Sequence, residues 1–206
     1  MNEETADGMG DVLTHPHGGG PAGFAPGAAG PIPTERLEEE YQKVGRWKGP
    51  HATPEARAQV RDFWQRQGGP GLRWLVARLR SEGHIDALDG VASLLAAAGE
   101  TAILPILEEL ERQPTRDQAG ALLHALAWIG EDGVAAPSVL APRLEAALAS
   151  LWQHDADLRE WAARSARLLP RAHAVGLLRG WLERDADAEV RRAIGAVLGV
   201  DATGRS

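Results

Sequence analysis

The side chains best suited to recognition chemistry form an aromatic and basic set. His124 and Trp128 stand four residues apart, which places an imidazole and an indole one turn apart on a single helix flank. Arg164, Arg167 and Arg171 recur at three and four residues, a spacing that lines guanidinium groups along the polar side of one helix. Together these five predict a stripe that binds a protein partner, either acidic or peptide-like, because exposed tryptophan and arginine concentrate binding energy at interfaces. The plainer alternative is that Trp128 fills a gap between neighbouring elements while the arginines are solvated. His154-Asp155-Ala156-Asp157 gathers an imidazole and two carboxylates that acid–base or metal chemistry could use. The same residues collect in turns ahead of helices, where they cap free amides, and that role is favoured. His15-Pro16-His17 offers two imidazoles without carboxylate or thiol support, too few ligands to hold a metal well.

Catalytic spacing is missing. The chain contains no Gly-x-Ser-x-Gly, no phosphate-cradling Gly-x-x-x-x-Gly-Lys and no His-x-x-x-His, and it has no cysteine to serve as nucleophile, thiolate ligand or disulfide partner. No catalytic residue, metal or cofactor is expected.

The elements that must position the candidate residues are helices. Alanine (36) and leucine (25) far outnumber valine plus isoleucine (17), so the β-branched residues that strands favour are scarce. A shift of 31 residues lays Leu72, Leu75, Val76 and Leu79 on Ile103, Ile106, Leu107 and Leu110. Without a gap, the same shift carries Leu88, Val91, Ala92 and Leu95 onto Ala119, Leu122, Leu123 and Leu126, and Gly99-Glu100 onto Gly130-Glu131. Spacing by three and four makes each half of the unit an amphipathic helix, and the glycines stand where a helix ends. Such a pair cannot bury its apolar stripe alone, so stacking against a similar neighbour is favoured.

Two looser units follow. Val139, Leu144, Leu148 and Leu151 mark one first helix, with Leu158, Trp161, Ala162, Ser165 and Leu168 on its partner; Val175, Leu178, Trp181 and Leu182 begin the last unit, and Val190, Ile194, Val197 and Leu198 close it. Trp64, Trp74, Trp152, Trp161 and Trp181 sit at or beside core positions and are expected to pack. Thr115 to Gln118 and Asp157 to Glu160 have the spacing of capping boxes. Ahead of the array, Leu37, Tyr41 and Val44 form a narrow apolar face on a helix from Thr34, with Glu38, Glu39 and Glu40 expected to face water. That helix either covers the exposed edge of the first repeat or docks on another protein. Gly45 to Thr53 reads as a loop, and Pro54 opens the next helix. About ten helices are expected in all.

These features resemble a known family. Leu95 to Leu110, with Gly99-Glu100-Thr101-Ala102-Ile103-Leu104-Pro105-Ile106-Leu107, looks like the junction and first helix of a HEAT repeat, including the proline that bends it. Asp185-Ala186-Asp187-Ala188-Glu189-Val190-Arg191-Arg192-Ala193 resembles the family's turn and second-helix start. The bacterial form of the repeat, similar to that in phycobilin lyases, is nearest. The resemblance covers roughly residues 70 to 200. It implies an all-α fold, a right-handed α-solenoid of stacked antiparallel helix pairs, and an adaptor or scaffold role exercised through adjoining second helices. It also implies a ladder between repeats involving Asp185 and Arg191, with Arg159 matching Arg191 one repeat earlier and Gln153 standing at the matching aspartate position. Some relatives of that fold are enzymes, so a bilin-lyase-like or DNA-glycosylase-like activity in the concave face is the alternative.

Charge argues against the nucleic-acid version. The formal net charge is −7, and residues 54 to 206 carry 18 arginines and no lysine against 21 acids. The N-terminus is acidic and lacks the pattern of a secretory signal, and the uncharged helical stretches fall short of the roughly 20 apolar residues a membrane span needs. A soluble, cytoplasmic protein is expected. Residues 1–33 hold eight glycines and five prolines with little to bury, and read as a disordered tail or tether. The expected organisation is therefore tail 1–33, helix and loop 34–53, and solenoid 54–206.

Overall fold

Alanine and leucine repeated at three and four residues close helical turns and give each helix a wide apolar side. The computed structural model describes residues 32–47, 53–81 and 85–200, and among these no strand occurs. In chain order the elements are α1 (Thr34–Trp47), α2 (Pro54–Leu79), α3 (Ile85–Ala98), α4 (Glu100–Leu110), α5 (Arg116–Glu131), α6 (Ala141–Leu151), α7 (Ala156–Ser165), a 3-10 turn (Ala166–Leu168), α8 (Arg171–Arg184) and α9 (Ala188–Leu198). The expected tail and its His15–His17 pair lie outside the described residues, apart from Ile32 and Pro33. None of the helices in the described part is long and apolar enough to cross a membrane.

α2 is two limbs joined at Gly68, whose φ of 59° lies in the left-handed region and interrupts the helical path. Pro70 falls in the first turn of the second limb, where a missing amide hydrogen costs no helical bond. The first limb buries Val60 and Trp64; the second buries Leu72, Leu75, Val76 and Leu79. Trp64 stacks on Trp74 with ring centroids 5.8 Å apart, which ties the limbs together across the bend.

α2 pairs with α3, α4 with α5, α6 with α7, and α8 with α9. First helices meet first helices, α2 on α4 and α4 on α6, while α3 packs on α5, α5 on α7 and α7 on α9. This arrangement is compatible with a helical repeat. All eight apolar pairs matched by the 31-residue shift are buried at both members. α5 shows why the pairs stack: Ala119, Ala121, Leu122, Leu123, Ala125, Leu126, Ala127 and Ile129 are all buried, a surface too wide for one partner helix. Arginine–carboxylate pairs cross the first-helix layer, Arg73 to Glu108 at 2.7 Å and Arg143 to Glu111 at 2.8 Å. His173 Nδ1 lies 2.9 Å from Glu145 between α8 and α6.

Several local expectations are corrected. Val139 is 77% exposed, because α6 opens only at Ala141 and Val139 belongs to the preceding turn. Gly99 and Gly130 do stand at helix ends, Gly99 just after α3 with φ 63° and Gly130 in the last turn of α5, where the left-handed residue beyond the end is Gly133 with φ 80°. A Cβ on Gly130 would come within 3.1 Å of Arg167 Cβ, so glycine there permits the close approach of the 3-10 turn. Glu40 is only 4% exposed, held by Arg36 at 2.7 Å and Lys43 at 2.6 Å. Leu37 and Tyr41 are buried, α1 packs on α2 and α3, and Tyr41 meets Trp74 edge-on at 6.1 Å, so α1 covers the α2–α3 pair. The helix also runs on to Trp47, into the segment expected as loop.

Because burial rather than surface charge holds the stack, Leu126→Ala should lower unfolding free energy by about 2–5 kcal/mol in urea titration. Arg143→Ala, which removes an exposed pair, should cost no more than about 1 kcal/mol. Equal losses would contradict this ordering.

Candidate functional site

The face where α3, α5 and α7 lie side by side carries the candidate site. On α5, Asp117, Gly120, Ala121 and His124 fall on one side at three- and four-residue spacing. α3 contributes Leu88 and Asp89, and α7 contributes Asp157, Leu158 and Trp161. Together with Arg116 these side chains line a cavity of about 190 Å³. It exists because Gly120 and Ala121 add almost no bulk where the flanking helices rise on either side of α5. A Cβ on Gly120 would reach only ordinary contact, 3.7 Å, with Leu158.

His124 is part-buried, its ring centroid 3.6 Å from that of Trp161 at a tilt of 52° and 5.7 Å from that of Trp128. Its Nδ1 is buried without a hydrogen-bond partner. Burial pushes the imidazole pKa below its usual value; Asp89 and Glu160 oppose that shift and Arg164 reinforces it, so the ring is neutral at pH 7. Trp161 lies under Arg164, whose guanidinium carbon is 4.7 Å from the ring centroid and whose Nη2 donates to Glu160 at 2.6 Å.

Arg116 fixes the start of α5 against the start of α7. It donates to Asp155 at 2.7 Å, to Asp157 at 2.8 Å and to Asp117 at 3.2 Å. The Arg116 guanidinium holds the Asp155 carboxyl below the usual carboxylate range, and the carboxylates raise the Arg116 pKa in turn. Asp155 also caps α7 by accepting from Leu158 N at 3.2 Å, so the capping position is Asp155 rather than Asp157. At the start of α5 the Thr115–Gln118 capping box forms as its spacing predicts.

Of the five expected interface residues, His124 and Arg164 both meet the Trp161 ring, while Trp128 meets His124. Arg167 instead pairs with Glu131 at 3.5 Å, at the far end of α5. Arg171 is not on the second helix at all. α7 ends at Ser165, the chain turns through Ala166–Leu168, Leu169 is extended ahead of Pro170, and Arg171 opens α8. There it donates to Val197 O at 2.9 Å and Leu198 O at 2.8 Å, capping the end of α9. The continuous arginine stripe is therefore replaced by three arginines with separate duties.

The expected ladder residues are also redistributed. Asp185, 8% exposed, takes two bonds from Arg159 on α7, at 2.6 and 3.3 Å, and accepts from Asp187 N at 2.9 Å. Arg191 does not meet that carboxylate; it donates to the backbone carbonyls of Leu182 at 2.5 Å and Asp185 at 3.3 Å, closing its own hairpin. The pair between neighbouring helix pairs thus runs from Arg159 on α7 to Asp185 ahead of α9.

Sequence reading missed Trp161 and Arg116 as site residues. Trp161 packs against the core, as its place between Leu158 and Ala162 predicts, but its half-buried ring also lines the cavity, which core spacing does not register. Arg116 pairs with carboxylates about 40 residues away, at separations of 39 and 41, beyond any local spacing rule. Among the described residues, no three His, Asp or Glu side chains are placed to hold a metal ion.

The burial of His124 predicts an imidazole that titrates below about 6.5 in an NMR pH series, and still lower in Asp89→Asn, which removes a carboxylate favouring the charged ring. Folding depresses this pKa, so the contribution of the neutral ring to stability is complete above about pH 6.5 and is lost as pH falls through the native pKa. A midpoint at or above the unfolded value would contradict the burial. Arg159→Ala should cost roughly 2–3 kcal/mol in chemical denaturation, since it strands the buried Asp185 carboxylate. A loss under about 0.5 kcal/mol would show the pair to be ornamental.

Comparison with known proteins gave no matching family model, no matching curated protein and no matching solved structure.

Proposed function

We propose that the chain is a non-enzymatic adaptor, a HEAT-like right-handed solenoid that binds a protein partner across its second helices in the cytoplasm. The observation that carries this reading is the cavity between α3, α5 and α7, to which three successive helix pairs contribute side chains. A surface assembled from successive repeats is where stacked hairpins present recognition groups. Its wall combines an aromatic anchor, Trp161, with an imidazole whose Nδ1 is buried and unbonded. The exposed part of the Trp161 ring gains when a partner excludes water from it. The net charge of −7 supports a protein rather than a nucleic acid as that partner.

The test is co-purification from the native host with the full chain and with a His124→Ala, Trp161→Ala variant whose thermal melt confirms folding. A partner held by the wild type should fall at least about ten-fold in the variant, as loss of a central aromatic anchor entails. A partner retained equally by the variant would overturn this placement of the interface. A small molecule turned over by the purified chain would overturn the adaptor reading itself.

A further inference from the structure

His124 sits in the seam between α5 and α7, in a place that suits an uncharged ring. Its centroid lies 3.6 Å from that of Trp161 on α7 and 5.7 Å from that of Trp128 on its own helix, so two indoles press on one imidazole. Nδ1 is sealed from water and has no hydrogen-bond partner. In the neutral ring with its proton on Nε2, Nδ1 is a bare acceptor, a modest cost. In the charged ring both nitrogens carry a proton, and Nδ1 becomes the buried donor of a cation with nothing to accept it. The Trp161 ring gives little help by attracting that cation, because it already holds the Arg164 guanidinium at 4.7 Å. The charged groups that act on the imidazole come from both neighbouring helices: Asp89 of α3 and Glu160 of α7 favour its charged form, and Arg164 of α7 opposes it. Arg116 and Asp117 of α5 and Asp157 of α7 line the cavity that the ring borders, joined to one another by ion pairs.

We propose that His124 is an acid-operated latch on the α5–α7 seam: the neutral ring packs on Trp161, and on taking up a proton it leaves Trp161 and turns into the cavity between α3, α5 and α7. The inference goes beyond the adaptor reading and does not need it, since the latch belongs to the seam whatever binds there. The cavity gives the ring a place to go, with about 190 Å³ open beside it. A helical side chain leans over the turn that precedes it, which for His124 is the turn of Gly120 and Ala121, where almost no bulk stands in the way. There solvent reaches both N–H groups of the charged ring, so the carboxylates of the wall need not be unpaired. Departure of the ring uncovers part of Trp161, and the surface shared by α5 and α7 changes with it. Because burial holds the imidazole below its usual pKa, the latch is closed at pH 7 and opens on the acid side of about 6.5.

NMR of the full wild-type chain from about pH 8 to about pH 5 tests this, so that no variant's folding decides the outcome. At the alkaline end the His124 ring protons should show NOEs to the Trp161 ring. Through the His124 titration these should fall at least about five-fold, while NOEs to Leu88, on the α3 wall of the cavity, appear. The indole signal of Trp64, which is fully buried in α2, should stay unchanged over the same range. Arg164→Gln, which removes the cation competing for Trp161, should raise the midpoint of the His124 titration. A ring that titrates while keeping its NOEs to Trp161 would overturn the latch, and so would a ring that stays neutral until the chain unfolds. Neither result bears on the adaptor reading, which the co-purification experiment decides.

Discussion

The structure depends on helices that must be buried on more than one side. α5 cannot hide its apolar surface against α4 alone, and α3 and α7 cover what remains. Small residues make this close packing possible. Ala162, Ala163 and Ala166 on the α7 side are fully buried, and Gly130 admits the 3-10 turn at a distance a Cβ would obstruct. Alanine keeps helix propensity high while letting helix backbones approach, so one residue type serves both local and long-range structure. The first-helix layer is built differently, from larger residues such as Ile103, Ile106 and Leu107, with ion pairs crossing its outer edge. Those exposed pairs align the layer and contribute little to its stability.

The candidate site is a consequence of the same economy in side-chain size. Where small residues of α5 are covered, helices pack; where Gly120 and Ala121 remain between the flanks of α3 and α7, a cavity is left. Polar residues at helix starts then surround it. Asp155 caps α7 and Asp117 stands in the first turn of α5, positions where carboxylates favourably meet the amide end of a helix. Arg116 bridges the two starts. Negative charge at the mouth of the cavity therefore follows from how these helices begin, and His124 and Trp161 supply its less polar wall.

Much of the helical organisation was legible because periodic burial leaves a direct mark on sequence. The 31-residue shift between Leu72 and Ile103, or Val91 and Leu122, found residues that are buried alike. The Thr115 capping box was legible for the same reason, since it acts over three residues. What escaped notice depended on contacts distant in the chain or on a break in the helix. Arg164, Arg167 and Arg171 looked equivalent by spacing, yet Pro170 forces Leu169 to be extended and sends Arg171 to the end of α9. Glu40 is buried because two cations of its own helix neutralise it, a possibility that an apolar periodicity does not register.

Native-state hydrogen exchange tests the central claim of mutual burial most directly. If neighbouring pairs shield one another, amides in the middle of α5, enclosed by α3, α4 and α7, will be the slowest to exchange, with protection declining toward α1 and α9. Exchange in α5 as fast as in those terminal helices would contradict the account.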